Sequence, residues 1–237
     1  KSYMLVDNKF LFLKIPRTAT VAFERSCFSA GLSIKYPADN VLAQRQADKG
    51  IEPYRHAHHP VSKLREYFGN DYPIVAITRD PLERFLSAWK YTIKHIAETN
   101  PEISKALEKV TSKQFINAWH SEIGYIDNLK DIEKASNFFR RVLKGGVPYS
   151  KNIFMIFTTV ITGATRWHQN DPNILYFDMK DLKSLEEYTR EVTGKPFELI
   201  STNGTESIYT DLKIDEELKD FYFKLIEPPY KTQSTLI

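Results

Sequence analysis

Two short runs in this chain place cations and hydroxyls just past continuous apolar stretches. Lys14 to Phe23 (KIPRTATVAF) follows Phe10 to Leu13, and Thr78 to Trp89 (TRDPLERFLSAW) follows Ile74 to Ile77. A guanidinium with hydroxyls beside it at a helix start suits a bound phosphate. The first-turn N–H groups lack intrahelical partners there, and the positive end of the dipole favours an anion. Arg17, Thr18 and Thr20 supply these groups in the first run, with backbone N–H groups from the same turn, Ala19 and Val21 included. Arg79 and Ser87 supply them in the second, so the runs read as two halves of one phosphate-binding site.

The elements that must position them follow from the pattern. Lys9 to Ile15 reads as a strand buried on both faces, because Phe10 to Leu13 show no polar alternation. Pro16 ends it, and Ala19, Ala22, Phe23, Cys27 and Ala30 then fall at the spacing of one helical face. In the second run Ile74 to Ile77 is a strand. Asp80, Pro81 and Glu83 provide an N-cap, a first-turn proline and a capping-box carboxylate. Leu82, Phe85, Leu86, Trp89, Ile93 and Ile96 form the buried stripe of that helix.

Between the runs, RHAHHPV at Arg55 to Val61 gathers three histidines. On a strand, His56 and His58 would share a face and could ligate a metal, but no third ligand is evident. Satisfied core or surface imidazoles and a general base are the other readings of this cluster. Cys27, the only cysteine, falls on the buried face of its helix without Cys or His neighbours in sequence. His95 and His120 read as helix-surface residues, and His168, beside Trp167, as an acceptor-side candidate.

Pro16 to Phe23 resembles the P-K-T-A-G-T-S-F loop of the membrane-type carbohydrate sulfotransferases and their bacterial and viral relatives. The second run is similar to that family's R-D-P-x-E-R-x-x-S-A signature, with Arg79, Asp80, Pro81, Glu83, Arg84, Ser87 and Ala88 in place. The first loop departs from the pattern: Arg17 replaces lysine, Thr20 and Val21 stand where glycine or serine and then threonine are common, and Ala22 replaces serine. The resemblance implies that the first loop holds the 5′-phosphosulfate of 3′-phosphoadenosine 5′-phosphosulfate (PAPS). Arg79 and Ser87 would hold the 3′-phosphate. RHAHHPV resembles the family's G-H-x-P segment, which would make His58 the general base.

On that reading the chain is an enzyme that moves a sulfuryl group from PAPS to a hydroxyl or amine of a glycan or small-molecule acceptor and releases adenosine 3′,5′-bisphosphate (PAP). His58 would take the acceptor proton, and Arg17 would stabilise charge on the departing oxygen as an electrostatic clamp, since arginine does not readily give up its proton. Lys14 is the reserve catalytic candidate; the alternative for it is a strand residue reaching to solvent. No metal is required. Two other classes stay open: a non-catalytic PAP-binding or interaction protein with the same fold, motivated by Val21 and Ala22, and a nucleotide kinase. The kinase is disfavoured because the chain has no G-x-x-x-x-G-K-[ST] run.

The 237 residues, with no composition shift or low-complexity linker, point to a single domain spanning 1–237. A net charge of +3 fits an anionic cofactor and does not call for nucleic acid. One cysteine precludes an internal disulfide framework, and no stretch is apolar enough to span a membrane, which suggests a cytoplasmic protein, or a Golgi-lumenal one if an upstream anchor was removed. Helices are expected over Pro101 to Val110, Ser112 to Trp119, Asn128 to Leu143, Asp181 to Val192 and Asp215 to Leu225, and a third strand over Asn173 to Phe177. The alternation predicts an α/β fold: a parallel sheet with helices on both faces, which with the resemblance implies P-loop nucleotide-kinase-like sulfotransferase architecture with a helical cap. In that family the cap shapes the acceptor pocket, where Trp119, Tyr125 and Tyr149 are lining candidates, although aromatics at helical spacing are more often core.

Overall fold

The computed structural model describes residues 3–37, 41–50, 58, 60–124, 132–144, 154, 157, 159–201, 204 and 207–227. In chain order the elements begin with β1 (Tyr3–Val6), β2 (Phe10–Leu13), α1 (Thr20–Ser29), β3 (Ile34–Lys35), α2 (Val41–Asp48), α3 (Val61–Phe68) and β4 (Ile74–Thr78). Next come α4 (Pro81–Thr99), α5 (Pro101–Glu108), α6 (Ser112–Glu122), α7 (Ile132–Val142) and α8 (Thr165–His168). The last are β5 (Ile174–Asp178), α9 (Leu182–Thr193), α10 (Glu216–Phe221) and a π-helical turn, Tyr222–Ile226. The chain divides into two compact units, Lys1–Arg79 with Ala164–Thr202, and Asp80–Gly163 with Asn203–Ile237.

The first unit holds a five-stranded sheet ordered β3-β1-β2-β4-β5. It is mixed, which corrects the all-parallel expectation. β2, β4 and β5 run parallel, while β1 is antiparallel to both β2 and β3. The difference comes from a hairpin. Asp7 and Asn8 both adopt positive φ, and Lys9 N–H bonds to Val6 O across 2.8 Å, closing a short loop of Asp7, Asn8 and Lys9 between Val6 and its antiparallel partner Phe10. Phe10, Phe12, Val75 and Ile77 pack with Phe23 of α1 and Leu185 of α9 on one face. Leu11, Leu13 and Ala76 point the other way and are equally buried, so both faces of the central strands are covered, as their uninterrupted apolar runs require.

The second unit is helical, and its segment Asp80–Gly163 enters the chain between β4 and β5. Helix α4 starts where its sequence signals it: the Asp80 side chain accepts from Leu82 N–H (3.1 Å) and Glu83 N–H (2.9 Å), with Pro81 in the first turn. The two-way capping box falls instead on α6, between Thr111 and Gln114. Leu82, Phe85, Trp89, Ile93 and Ile96 are buried as expected, in a core with Phe115, Trp119, Phe138, Phe139 and Phe157, whereas Leu86 is only partly buried against it. Trp119 is therefore core, its indole N–H bonded to Gly124 O at 2.8 Å. Tyr125 and Tyr149 lie outside the described residues. Arg84, the second arginine of the R-D-P-x-E-R run, is buried in this unit and donates to the carbonyls of Val160 and Thr162.

Candidate functional site

Strands β2 and β4 are parallel neighbours with Leu13 opposite Ala76, so both chains leave the sheet at the same edge. That edge, outside the carboxyl ends of parallel strands, is where α/β sheets bind ligands. The turn after β2 is unusual in where its carbonyl groups go. Leu13 O accepts from Ile15 N–H (3.2 Å), Lys14 O lies 2.6 Å from His58 Nδ1, Ile15 O accepts from Thr18 Oγ1 (2.8 Å), and Arg17 O accepts from Arg79 Nη1 (3.3 Å). Each of these acceptors is occupied by the protein.

The donors of the same turn are arranged oppositely. Phe23 N–H to Ala19 O is the first bond of α1, at 3.1 Å, which leaves Thr20, Val21 and Ala22 N–H in the first turn. The N-cap, Ala19, has no side chain able to close that end. Arg17 and Ala19 hold left-handed backbone, φ 65° and 60°, conformations that L-residues with a Cβ adopt at a cost and that concentrate at ligand-binding turns. Bonded carbonyls, uncapped amides and the Arg79 guanidinium on the Arg17 carbonyl together make a donor-rich corner within the first unit.

The candidate residues fall in distinct places. Thr18 and Thr20 are buried, Arg17, Ala19 and Arg79 are partly exposed, and Val21 is 37% exposed. The Thr18 hydroxyl spends its hydrogen on the Ile15 carbonyl, so it braces the turn. Ser87 sits in the second unit, buried on α4. His58 is partly buried; because a carbonyl only accepts, its Nδ1 carries the hydrogen, which puts the lone pair of the neutral ring on Nε2. Its ring lies 5.7 Å from that of Trp167. His56 and His59 lie outside the described residues, and among the described residues no group of three or more His, Cys, Asp or Glu is placed to hold a metal.

Lys14 does not reach to solvent. It is 5% exposed, and its ammonium pairs with the Glu24 carboxylate of α1, itself 7% exposed. Tyr36 OH donates to the other Glu24 oxygen at 3.1 Å. Sequence reading passed over Glu24 and Tyr36. The available signal was a carboxylate one turn from Thr20 on a helix face otherwise made of Ala22, Phe23 and Cys27, together with a lysine ending an apolar strand, since each buried charge requires the other. Cys27 is buried, and its burial, then the Glu24 charge, push the thiol pKa well up, which removes it as a nucleophile.

The chain beyond His58 is fastened too. Gln169 Oε1 accepts from Ser62 N–H (3.1 Å) at the start of α3, and Arg65 forks onto Asp171 with both bonds at 3.0 Å. His168 is buried, accepting from Asn170 N–H at Nδ1 (3.0 Å). Burial, then the Asp171 charge, lift the Tyr176 phenol to about 12, so it stays protonated. A separate open cleft of about 480 Å³ lies along the far half of α1, lined by Ser26, Ser29, Glu186, Arg190, Phe197 and Glu198. Arg190 is engaged there with Phe197 O and Glu186, and Ser26 with Ala22 O and Ile200 N–H.

No family model, curated protein or solved structure matches this chain. No described helix is long and apolar enough to cross a membrane.

Proposed function

We propose that this chain binds PAPS at the turns after β2 and β4 and transfers its sulfonate to a hydroxyl or amine of a glycan or small-molecule acceptor, on a P-loop-like sulfotransferase architecture with a helical cap. One observation carries the reading. The turn after β2 commits its carbonyls to protein donors while α1 keeps an uncapped N-terminus beside Arg17, and Arg79 reaches that same turn. Such a corner suits a phosphosulfate and repels cations. The second run and the order of the two runs match the family that they resemble, while the first loop differs at Arg17, Thr20, Val21 and Ala22; Arg79 is assigned to the 3′-phosphate.

PAPS supplies a sulfonate bonded to a phosphate that leaves readily. The acceptor oxygen bonds to sulfur, the sulfur–oxygen bond to the 5′-phosphate breaks, and the acceptor proton moves to His58 Nε2, the ring nitrogen left basic by the Nδ1 bond to Lys14 O. Arg17 and the first-turn amides of α1 stabilise the charge that gathers on the departing phosphate oxygen. The Lys14 ammonium is committed to Glu24, so Lys14 enters through its carbonyl.

The deciding measurement is calorimetric titration with PAP against ADP, which lacks a 3′-phosphate. Tight PAP binding with weak ADP binding supports the reading; equal affinities overturn it. Val21, exposed on the first turn of α1, favours a second reading in which the nucleotide is bound without transfer. PAP binding with no turnover of labelled PAPS on a panel of glycan and phenolic acceptors would select it.

A further inference from the structure

We infer that Glu24 is a positioning residue for His58, acting through Lys14 and steadied by Tyr36; its catalytic consequence rests on the function proposed above. His58 is oriented by a backbone carbonyl, that of Lys14, at 2.6 Å. A carbonyl orients a ring only as well as its own peptide is held, and this peptide lies past the end of the sheet ladder. The β2–β4 pairing stops at Leu13 opposite Ala76. Ile15 N–H folds back to Leu13 O (3.2 Å), a three-residue turn centred on Lys14.

That bond holds one end of the peptide, and the Lys14 side chain supplies a second anchor. The ammonium is buried against the Glu24 carboxylate, and Glu24 stands on the second turn of α1, whose Phe23 packs on Phe12 with ring centroids 4.2 Å apart. Tyr36 OH occupies the other carboxylate oxygen, so the carboxylate cannot swing away from the ammonium without losing a buried hydrogen bond. The path runs Tyr36, Glu24, Lys14, His58, and every link lies within the first unit. A carboxylate that served only to neutralise Lys14 would stabilise the fold and leave the imidazole unaffected. Glu24 placed here also sets the direction in which Nε2 points, since Nδ1 and Nε2 belong to one rigid ring.

The experiment is ring ¹⁵N–¹H spectroscopy of the full chain labelled at histidine, with the His58 signal identified by its loss in His58→Ala. The native ring should show a protonated Nδ1 that exchanges slowly with solvent. Glu24→Gln should free it, and Tyr36→Phe, which keeps the aromatic packing, should speed its exchange about tenfold. Tyr36→Phe keeps the test decisive if Glu24→Gln does not fold, because a buried ammonium without its counter-charge is strongly destabilising. Unchanged Nδ1 protonation and exchange in the folded variants overturn the inference. On the activity side, Tyr36→Phe should lower kcat about tenfold while leaving the KM for PAPS unchanged, the split expected of a misaimed base; a rise in KM alone overturns it. Failure of the native chain to bind PAP overturns the proposed function, and the ring spectra still decide the role of Glu24.

Discussion

Arg79 Nη1 donates to the carbonyl oxygen of Arg17 across 3.3 Å, so the turn after β4 is fastened to the turn after β2 by the residue that opens the R-D-P run. In the proposed site this bond gives Arg79 two tasks, contact with the 3′-phosphate and support of the turn that receives the phosphosulfate. Arg79→Ala should therefore weaken PAP by more than one charged contact is worth. A single charge-assisted hydrogen bond contributes about 1.5 to 3 kcal/mol, roughly tenfold to hundredfold in affinity. Calorimetry should show a PAP loss at or beyond the upper end of that range. ADP, without the 3′-phosphate, should lose only the part that comes from the loosened turn. Equal losses for PAP and ADP would mean that Arg79 serves the turn alone.

Ala19 holds φ 60° and ψ 22° as the N-cap of α1. Its methyl group makes that left-handed conformation cost about 1 to 2 kcal/mol, and glycine would relieve this while adding flexibility to the unfolded chain. Ala19→Gly should raise stability by a net of about 0.5 to 1 kcal/mol in urea unfolding. PAP binding should weaken at the same time, because a glycine turn no longer holds the first-turn amides of α1 in one direction. Tighter PAP binding in this variant would show that the strain has no binding role.

The turns and helix starts were legible because their grammar is local. Asp80 caps α4, Pro81 opens it, and Phe10 to Leu13 announce a strand buried on both sides without any tertiary knowledge. The β1–β2 hairpin was missed although Asp7-Asn8 is a turn pair of the required kind, since Tyr3–Val6 is short and β3 has only two residues, Ile34–Lys35. Two such short strands carry too little pattern to separate a mixed sheet from a parallel one. At the site, Arg17 and Arg79 could be found from spacing, but the Lys14 to Glu24 pair and the carbonyl that orients His58 depend on distances across 10 and 44 residues of chain, which no periodicity records.

The hairpin turn also carries a pH response. Asp7 is pulled upward by burial, but the hydrogen bond from Lys195, the Ser33 amide and the charges of Lys195 and Lys9 outweigh this and hold its carboxyl below the ordinary value of 3.8. A carboxyl depressed in the folded state stabilises it fully above 3.8, and that contribution disappears as pH falls through the folded value. Asp7→Asn should therefore lower Tm near neutrality, and the gap from the native chain should close in progressively acidic buffer. A gap that is constant down to a pH below the folded value would place the effect in the turn geometry and not in the charge.

Gly163 is fixed by its neighbour. A Cβ built there would lie 2.5 Å from Cδ and Oε2 of Glu227, closer than van der Waals contact permits. Glu227 is 1% exposed and its Oε2 accepts from Tyr222 OH at 2.8 Å, a phenol that burial, then the Glu227 charge, keep protonated. The carboxylate can retreat only by giving up that bond inside the unit. Gly163→Ala should cost about 1 to 3 kcal/mol in denaturant unfolding, the range of an overpacked core. In a Tyr222→Phe background the bond is already gone, so the same alanine should cost less, and the two changes should fall short of additivity by about 0.5 kcal/mol or more. Strict additivity would mean that Glu227 yields to the methyl group without disturbing Tyr222.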